Sequence, residues 1–405
     1  MQSGAKYQAA LEILTEVFKD KKPADSIIND YVRSRKYIGS KDRRFICDLV
    51  WNIIRNRLKL EFDSQSQGPR KIILWYCKDK LDDVFDGSQY GMPPLTSKEK
   101  TWLETSNDQP YPDYVEAECP QWLFEQISNI EFCKALNQPA TADFRAHKHS
   151  RQDVINRLNT EGIETVPTPY APNGFRSIER ININNSSTYQ EGWFEVQDEA
   201  SQIAALLCNV KPQHKIIDYC CGAGGKSLAL SDILNNQGKI LAHDISYKRL
   251  SAIKPRIERL RIKNIELTDI IADSDKDFDR FIIDAPCSGT GTWRRAPDAK
   301  YRLTPQILKS LNQTQSELLE LGAKKIRSGG QIVYITCSIL AKENENIINQ
   351  FLSNHSEFKP LNIKELWEEK IQCLYPHHNQ YMLRMSPQTT NTDGFFICIL
   401  QKNSI

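Results

Sequence analysis

Hydrophobic and polar positions follow a helical period in the first third of the chain. Apolar residues recur at helical spacing over residues 11–17 and again over residues 46–54, as expected for helices that bury one face. The second of these helices is predicted to begin at a turn over residues 37–44 with Ser40 as its cap, and another is expected after Pro93-Pro94. Because no strand pattern interrupts this part, residues 1–137 are predicted to form an all-helical domain.

The pattern changes at about residue 138. Short β-like runs at 142–147 and 180–183 lie on either side of a helical stretch at 150–161. This arrangement predicts a small α+β module over residues 138–190.

Beyond residue 190, short apolar runs that are typical of buried strands alternate with helical stretches. Two final runs, at 380–385 and 394–400, are expected to form an antiparallel pair. Residues 191–405 are therefore predicted to form a doubly wound, Rossmann-like α/β domain. Its parallel strands are expected at 215–218, 239–244, 265–269, 280–284 and 331–336.

Composition and charge limit the class of protein. A chain of 405 residues with 40% hydrophobic residues is expected to fold into two or three domains with ordinary packed cores. The net charge of +2 gives no signal for the whole chain, but basic residues concentrate at 33–59 and 248–263. There they suit either phosphate contacts or solvated helix faces.

Cysteine usage and hydropathy indicate a cytoplasmic protein with reduced thiols. The chain has 11 cysteines, an odd number, and no Cys-x-x-Cys pair, so neither a secreted disulfide framework nor a zinc site is expected. His377-His378 beside Cys373 has no accompanying ligands, and no metal is predicted. The first residues lack the apolar core of a signal peptide, and no stretch approaches the roughly 18 apolar residues of a membrane helix.

A glycine-rich turn follows the first predicted strand of the α/β domain. That strand ends at Asp218, the turn is Gly222-Ala-Gly-Gly-Lys, and Asp244 ends the next strand, where a carboxylate can accept ribose hydroxyls. A phosphate-binding P-loop would need glycine where Cys220 stands, and a dinucleotide site would need a third glycine where Ser227 stands. The turn therefore favours S-adenosylmethionine, with a structural turn beside a chance aspartate as the alternative.

Two cysteines follow the ends of two other predicted strands. Cys287 lies in Asp284-Ala-Pro-Cys-Ser-Gly-Thr-Gly and Cys337 in Tyr-Ile-Thr-Cys-Ser, and the carboxyl ends of such strands meet at one edge of a sheet. A thiolate that adds to carbon 6 of cytosine enables carbon 5 to attack an electrophilic methyl group. Cys337, Asp284 and Cys287 offer the thiolate, a group that polarises N3 and a base for the carbon 5 proton, and Lys226 is a candidate cation nearby. Alternatively, each cysteine is a small buried hydrophobic residue.

These motifs resemble those of the RNA cytosine-C5 methyltransferases of the bacterial RsmB/Sun type, which are related to the eukaryotic Nop/Sun enzymes. The resemblance implies a class I methyltransferase sheet, S-adenosylmethionine as methyl donor and 5-methylcytosine in RNA as product. The matching stretches are Phe194-Glu-Val-Gln-Asp-Glu-Ala-Ser, Cys221-Gly-Ala-Gly-Gly-Lys, Phe278-Asp-Arg-Phe-Ile-Ile-Asp-Ala-Pro-Cys-Ser-Gly-Thr-Gly, Thr336-Cys-Ser and Thr392-Asp-Gly-Phe-Phe.

The resemblance also implies residue roles. Cys337 would be the catalytic nucleophile and Cys287 would assist product release, while Asp284 would contact the base and Lys226 is the lysine of the glycine loop. The chain departs from the usual pattern at Cys220-Cys221, where the family has Cys-Ala, and at Ser227, where threonine is common. The cofactor would be bound by Cys221, Gly222, Ala223, Gly224, Gly225, Lys226, Asp244, Asp284 and Asp269, with Asp273 as the alternative to Asp269.

The other two predicted domains resemble RNA-binding modules. The N-terminal helices resemble the NusB-type domain that RsmB-type enzymes carry, with Gly39-Ser-Lys-Asp-Arg-Arg as the closest local match. The middle module would be the small RNA-recognition subdomain, in which Arg145 falls on an arginine of the usual pattern.

A candidate RNA contact follows Cys287 directly along the chain. The run Thr292-Trp-Arg-Arg is expected to border the mouth of the pocket. Trp293 could stack on a base there, or simply pack, while Arg294 and Arg295 could bind phosphates.

Together these observations predict a monomeric enzyme that methylates carbon 5 of a cytosine in ribosomal RNA, with neither a metal nor a membrane as partner. One alternative is the same chemistry on transfer RNA. Another is a non-catalytic RNA-binding assembly factor with a vestigial sheet. A nicotinamide-dependent oxidoreductase is a third, which Ser227 disfavours.

Overall fold

The computed structural model describes residues 1–104, 109–179, 181–272 and 276–404, which divide into two compact units. The first unit consists of Met1–Pro139 and Thr292–Thr304, and the second of Ala140–Gly291 and Pro305–Ile405. Each unit has a hydrophobic core of its own.

The first unit is helical, and none of its described residues lies in a strand, which confirms the all-helical prediction. One face of each long helix is buried, with Ile13, Leu49 and Ile72 among the core side chains. The helices, which include a short 3-10 helix at Lys78–Lys80, are Ser3–Val17, Ala24–Ser34, Ser40–Arg55, Arg57–Ser64, Pro69–Tyr76, Leu81–Val84, Ser97–Leu103, Asp113–Glu116, Gln121–Ile127, Ile130–Asn137 and Ala299–Arg302.

Helix starts in this unit follow local hydrogen bonding. The third helix begins at Ser40 itself, and Gly39 precedes it in an extended conformation. The predicted cap at Ser40 is therefore wrong, because a capping residue lies outside the helical backbone. The helix after Pro93-Pro94 is capped by Thr96, whose hydroxyl accepts the Glu99 N–H at 3.2 Å while the Glu99 carboxylate accepts the Thr96 N–H at 2.9 Å.

The segment Thr292–Thr304 belongs to the helical unit although it lies within the predicted α/β domain. Trp293 and Lys300 are each only 1% exposed. The Lys300 ammonium donates to the Glu118 carbonyl oxygen at 2.6 Å and to Asn137 Oδ1 at 2.9 Å. The guanidinium of Arg55 donates to the carbonyl oxygen of Arg294 at 2.6 Å. These contacts make the segment part of the core of the first unit.

The second unit contains two sheets, of which the smaller has the strands β1 Asp143–Ala146, β2 Thr165–Pro167, β3 Gly174–Ser177 and β4 Phe194–Val196. Its order is β2-β3-β1-β4, and all pairs are antiparallel. Phe144, Phe175 and Phe194 form its core together with the helix Arg151–Thr160. The nearby short helices are Ile183–Asn185, a 3-10 helix, and Ser187–Gln190.

The strand predicted at 180–183 is not formed. Arg180 lies outside the described residues, and the 3-10 helix Ile183–Asn185 occupies the end of the run. The Asn182 side chain accepts the N–H of Asn184 at 3.3 Å, and such local bonds of asparagine compete with strand pairing. The strand of this region lies earlier, at β3.

The larger sheet has the order β10-β12-β9-β8-β5-β6-β7, with β11 paired to β12. Strands β5 to β9 pair in parallel, and β12 is antiparallel to β9 and β11. The strands are β5 Lys215–Asp218, β6 Lys239–His243, β7 Ile265–Thr268, β8 Phe278–Asp284, β9 Ile326–Thr336, β10 Phe358–Pro360, β11 Met382–Met385 and β12 Phe395–Lys402.

The strand order reverses at β5, which lies between β6 and β8. Ligands bind beyond the carboxyl ends of the strands at such a reversal. The doubly wound fold is therefore confirmed, and no described helix is long and apolar enough to cross a membrane. The remaining helices, including two 3-10 helices, are Glu199–Leu207, Gly225–Ile233, Tyr247–Ser251, Lys254–Leu260, Thr290–Thr292, Pro305–Lys325, Ala341–Glu343, Glu345–Asn354 and Ile363–Ile371.

Candidate active site

The two cysteines predicted to share a pocket are in contact. Cys287 follows the end of β8 and Cys337 follows the end of β9, which are neighbouring parallel strands. Their sulfur atoms are 3.3 Å apart, and both side chains are half-buried. Parallel pairing thus brings together two thiols that are fifty residues apart in sequence.

Backbone hydrogen bonds hold the two cysteine turns to each other. The Ala285 N–H donates to the Ile335 carbonyl oxygen at 2.8 Å, and the Gly291 N–H donates to the Cys337 carbonyl oxygen at 2.9 Å. The Gly394 N–H in turn donates to the Gly291 carbonyl oxygen at 2.8 Å. A Cβ atom at Gly291 would overlap the backbone of Gly394, so this crossing requires glycine.

Lys226 and Asp284 form an ion pair beside Cys337, in which Lys226 is buried and Asp284 is half-buried. The Lys226 ammonium lies 2.7 Å from Asp284 Oδ2 and is almost fully buried. Burial alone would lower the pKa of Lys226, but the Asp284 carboxylate raises it by more. The charges of Asp218 and Cys337 raise it further, so the pKa of Lys226 lies above its usual value. The site therefore contains a permanent cation that can stabilise a thiolate at Cys337.

The surroundings of Cys287 favour the protonated thiol. The hydrogen bond with Cys337, then burial, then the negative charges of Cys337 and Glu343 raise the pKa of Cys287 well above its usual range. A thiol that retains its proton can donate to its neighbour. The Cys287 thiol is therefore suited to donate a hydrogen bond to a Cys337 thiolate. The thiolate is the form that a nucleophile needs.

The glycine turn requires glycine at two positions. Gly222 and Gly224 have φ values of +57° and +80°, and a Cβ atom at Gly224 would overlap the Ile253 side chain. The turn closes with the Gly224 N–H donating to the Cys221 carbonyl oxygen at 2.8 Å. It leads directly into the helix Gly225–Ile233, with Ala223 exposed. A ligand can thus approach the backbone at a helix N-terminus.

Asp244 lies beside this turn, as predicted, immediately after β6. It is 2% exposed, and its two oxygens accept the N–H groups of Gly222 at 2.9 Å and Ser246 at 2.8 Å. Arg249 lies 3.6 Å from the same carboxylate. Asp269 follows β7 at the same edge and is exposed, and Asp273 lies outside the described residues.

These features fit an S-adenosyl group. The glycine turn offers backbone N–H groups without a Cβ barrier, and Asp244 offers a carboxylate for ribose hydroxyls. Lys226 and Asp284 join this turn to the thiols through their ion pair. One edge of the sheet therefore combines a nucleoside-type site with two cysteines.

Comparison with known proteins agrees with this geometry. The family described as "16S rRNA methyltransferase RsmB/F" matches residues 205–401. The α/β domain of this chain is therefore similar to the RsmB/F family. A probable ribosomal RNA small subunit methyltransferase B of Bacillus subtilis is 24% identical over 97% of this chain and 98% of its own length. A ribosomal RNA small subunit methyltransferase B of Pseudomonas syringae is 31% identical over 70% of this chain and 65% of its own length.

Solved structures show the same fold. PH0851 is 22% identical and has a TM-score of 0.78 over 99% of this chain and 98% of its own. NSun6 from Pyrococcus horikoshii, solved with SFG, is 20% identical and has a TM-score of 0.62 over 72% of this chain and 100% of its own. The cofactor of this protein is S-adenosylmethionine, as the family match and the site both indicate.

Sequence reasoning treated Asp218 only as a strand end, yet it is fully buried at the centre of the site. Its Oδ2 accepts the Ser227 hydroxyl at 2.6 Å, and its Oδ1 is buried without a hydrogen-bond partner. Burial, opposed by the Ser227 hydrogen bond and assisted by the charge of Asp284, raises its pKa to about 7. The position of Asp218 between a buried strand and a glycine turn is the sequence feature that could have indicated its place in the site.

Three of the four predicted RNA contacts are buried. Arg145 in β1 is 4% exposed, donates to Gln197 Oε1 at 2.8 Å and contacts the Asp232 carboxylate. Trp293 and Arg294 lie in the core of the first unit, where Trp293 packs under the Lys300 ammonium. Burial is unfavourable for direct RNA contact, and for Trp293 it agrees with the packing alternative. Arg295 is exposed.

Sequence reasoning also missed Glu343, six residues after Cys337. It is fully buried, and its carboxylate accepts hydrogen bonds from Ser288 and Ser338, the residues that directly follow the two cysteines. Nothing in the spacing of the sequence reveals this contact, because it joins three separate segments.

Among the residues that the structure describes, no group of three or more metal-binding side chains is present. The two sulfur atoms are in contact with each other, and charged groups that act on them electrostatically include Lys226 and Glu343. This arrangement is suited to covalent catalysis by a thiolate.

Proposed function

We propose that this protein methylates carbon 5 of a cytosine in 16S ribosomal RNA through a covalent adduct at carbon 6. The observation that carries the proposal is the 3.3 Å contact between Cys287 and Cys337 beside the Lys226–Asp284 pair. The family match and the ribosomal RNA methyltransferase relatives support the choice of RNA.

The chemistry begins with the sulfur atom of Cys337, which bonds to carbon 6 of the cytosine. Asp284 contacts the base, and Lys226 stabilises the negative charges of the thiolate and of Asp284. S-adenosylmethionine supplies an electrophilic methyl group for carbon 5. Removal of the carbon 5 proton then restores the double bond and breaks the carbon–sulfur bond. We assign assistance in this release to Cys287.

The glycine turn and Asp244 orient the cofactor in this proposal. The N–H groups of the turn and the start of the helix Gly225–Ile233 suit polar groups of the cofactor. Asp244 binds the ribose, and Asp269 is the further cofactor residue that lies beyond the next strand. A cytoplasmic monomer that needs no metal completes the proposal.

Bisulfite sequencing of total RNA from a strain that lacks the gene tests the substrate. We expect one cytosine of 16S ribosomal RNA to lose its protection, and we expect wild-type protein, but not Cys337→Ala, to restore it. Loss of protection in transfer RNA instead would show that transfer RNA is the substrate, and the proposed covalent chemistry would be retained. Unchanged protection in all RNA would contradict the proposal.

A further inference from the structure

Glu343 is the buried carboxylate nearest to both cysteine turns, and the proposed mechanism does not use it. It ends the 3-10 helix Ala341–Glu343, immediately before the helix Glu345–Asn354. None of its surface is exposed. A buried charge of this kind is costly unless hydrogen bonds compensate it.

Four donors compensate this charge. Oε1 accepts the Ser288 N–H at 2.8 Å and the Gln315 side-chain amide at 3.0 Å. Oε2 accepts the hydroxyls of Ser288 and Ser338. An ionised carboxylate has about four acceptor positions, so the donors satisfy it completely. Ser288 follows Cys287 and Ser338 follows Cys337, and one carboxylate therefore contacts both cysteine turns.

The position of Glu343 is itself fixed from β9. Its carbonyl oxygen accepts the Tyr334 hydroxyl at 2.7 Å. The neighbouring Asn344 accepts the Thr336 hydroxyl at 2.6 Å and donates to the Ser338 carbonyl oxygen at 2.9 Å. Tyr334 and Thr336 are strand residues, so the carboxylate is anchored to the strand that presents Cys337.

We propose that Glu343 is a positioning residue that holds the Cys287 and Cys337 turns together and thereby fixes the separation of the two sulfur atoms. The effect of Glu343 on methylation rests on the proposed function, whereas its effect on the distance between the two sulfur atoms does not. The same carboxylate also lies close enough to Cys287 to contribute to its raised pKa. It thus favours the protonated form of Cys287 as well as its position.

The sulfur separation can be measured without RNA. Diamide oxidises two adjacent thiols to a disulfide, and the two electrons and two protons pass to the diamide. The wild-type protein is expected to form the Cys287–Cys337 disulfide rapidly, detected as a linked tryptic peptide by mass spectrometry. Glu343→Gln places an amide NH2 group against the donors from Ser288, Ser338 and Gln315, and Glu343→Ala removes the carboxylate that accepts from them. Both are expected to slow this disulfide about tenfold or more, since each disrupts bonds to a charged group.

Glu199→Gln is the matched control. Glu199 is a fully buried carboxylate in the same unit, and it accepts the N–H groups of Tyr170 at 2.6 Å and Ala171 at 2.9 Å. The Glu199→Gln variant is expected to change the melting temperature and to form the Cys287–Cys337 disulfide at the wild-type rate. Glu343→Gln is also expected to lower kcat for methylation without changing KM for S-adenosylmethionine.

Folded Glu343→Gln and Glu343→Ala proteins with the wild-type disulfide rate would overturn the positioning role. If neither variant folds, Ser338→Ala decides, because it removes one hydroxyl and leaves the carboxylate. A disulfide rate reduced about threefold supports the proposal, and an unchanged rate overturns it. If the Glu343 variants slow disulfide formation but the wild-type protein does not methylate RNA, the positioning role is supported and only the proposed function is contradicted.

Discussion

Cys287 and Cys337 differ chemically although their sulfur atoms are only 3.3 Å apart. Cys287 retains its proton because its neighbours raise its pKa, and Cys337 lies within the electrostatic reach of the buried Lys226 ammonium. In the proposed mechanism, the surroundings of each thiol distinguish the nucleophile from its partner, since the residue type is the same. Two substitutions separate these roles.

In the proposed mechanism, Cys337→Ala removes the atom that bonds to carbon 6. We expect methylation to fall by more than about a thousandfold, as for other catalytic nucleophiles, and no covalent protein–RNA species to form. Methyl transfer to 16S ribosomal RNA and denaturing gels measure the two effects. S-adenosylmethionine binding by titration is the control and is expected to be unchanged. Wild-type methylation by this variant would exclude the covalent mechanism.

Cys287→Ala leaves the nucleophile and removes its partner. We expect attack on the base to survive while release is slowed, so a protein–RNA adduct accumulates that resists denaturation in detergent. The adduct is measured on denaturing gels with labelled RNA. Normal turnover without an adduct would contradict the role in release.

Asp218 makes stability depend on pH. Its pKa is raised to about 7 in the folded protein, from 3.8 for an unperturbed group, mainly by burial. The unfolded chain therefore loses this proton first, and between these values the folded state binds more protons. Stability is full below about pH 4 and falls as pH rises to 7. Asp218→Asn is expected to reduce this fall, by at most about 3 kcal/mol between pH 5 and pH 8, as measured by urea unfolding at the two pH values. An identical fall in both proteins would contradict the assignment.

Motifs allowed the candidate reacting residues to be proposed from sequence because each lies in one continuous run. Asp284 and Cys287 share the run after β8, and Cys337 directly follows β9. Glu343 was missed because its role depends on contacts with Ser288 and Ser338. The burial of Arg145 was missed for the same reason, since its partners Gln197 and Asp232 are distant in sequence.

At the scale of elements, the glycine turn between β5 and the helix Gly225–Ile233 has the strictest backbone requirement. Gly224→Ala would introduce a Cβ atom against Ile253 at a φ of +80°. We expect a loss of about 2 kcal/mol or more in stability and loss of S-adenosylmethionine binding. Thermal unfolding and isothermal titration measure these effects.

Gly225→Ala is the control for this substitution. A Cβ atom at Gly225 would meet no atom within 4 Å, and its φ is not positive. Its melting temperature is expected to remain at the wild-type value. Equal destabilisation by the two alanines would show that the turn does not depend on φ at Gly224.

Strands with continuous apolar runs were predictable from sequence, and a short polar run was not. Each of the strands β5, β6, β8 and β9 has a central apolar run that is buried on both faces of the sheet, as at Ile216-Ile217 and Ile282-Ile283. The run at 180–183 alternates apolar and polar residues, but the Asn182 side chain there accepts the backbone N–H of Asn184. Periodicity therefore identifies buried strands and fails where side chains compete with pairing.

At the scale of the whole molecule, the helical unit is discontinuous in sequence. No local pattern marks 292–304 as its part, because the segment lies between two strands of the larger sheet. The prediction of an N-terminal domain at 1–137 therefore lacks the segment that supplies Trp293 and Lys300. Only the packing of these side chains reveals the difference.

A fragment of residues 1–139 tests this arrangement. A peptide of residues 292–304 is expected to raise the melting temperature of the fragment, because it supplies the buried Trp293 and the hydrogen bonds of Lys300. Circular dichroism measures the change. The same peptide with Trp293→Ala is expected to have little effect, since such a truncation costs about 3–5 kcal/mol. An unchanged melting temperature with the native peptide would contradict this account.

The discontinuity has a consequence for biosynthesis. Most domains fold as units when their own residues have left the ribosome, the N-terminal one first, at about 5–20 residues per second. Residues 140–291 must be translated before the segment that completes the helical core appears. The nascent helices therefore wait on the order of ten seconds with a gap where Trp293 belongs. During that interval they are a natural target for chaperones, so the vulnerability of this chain lies in its synthesis.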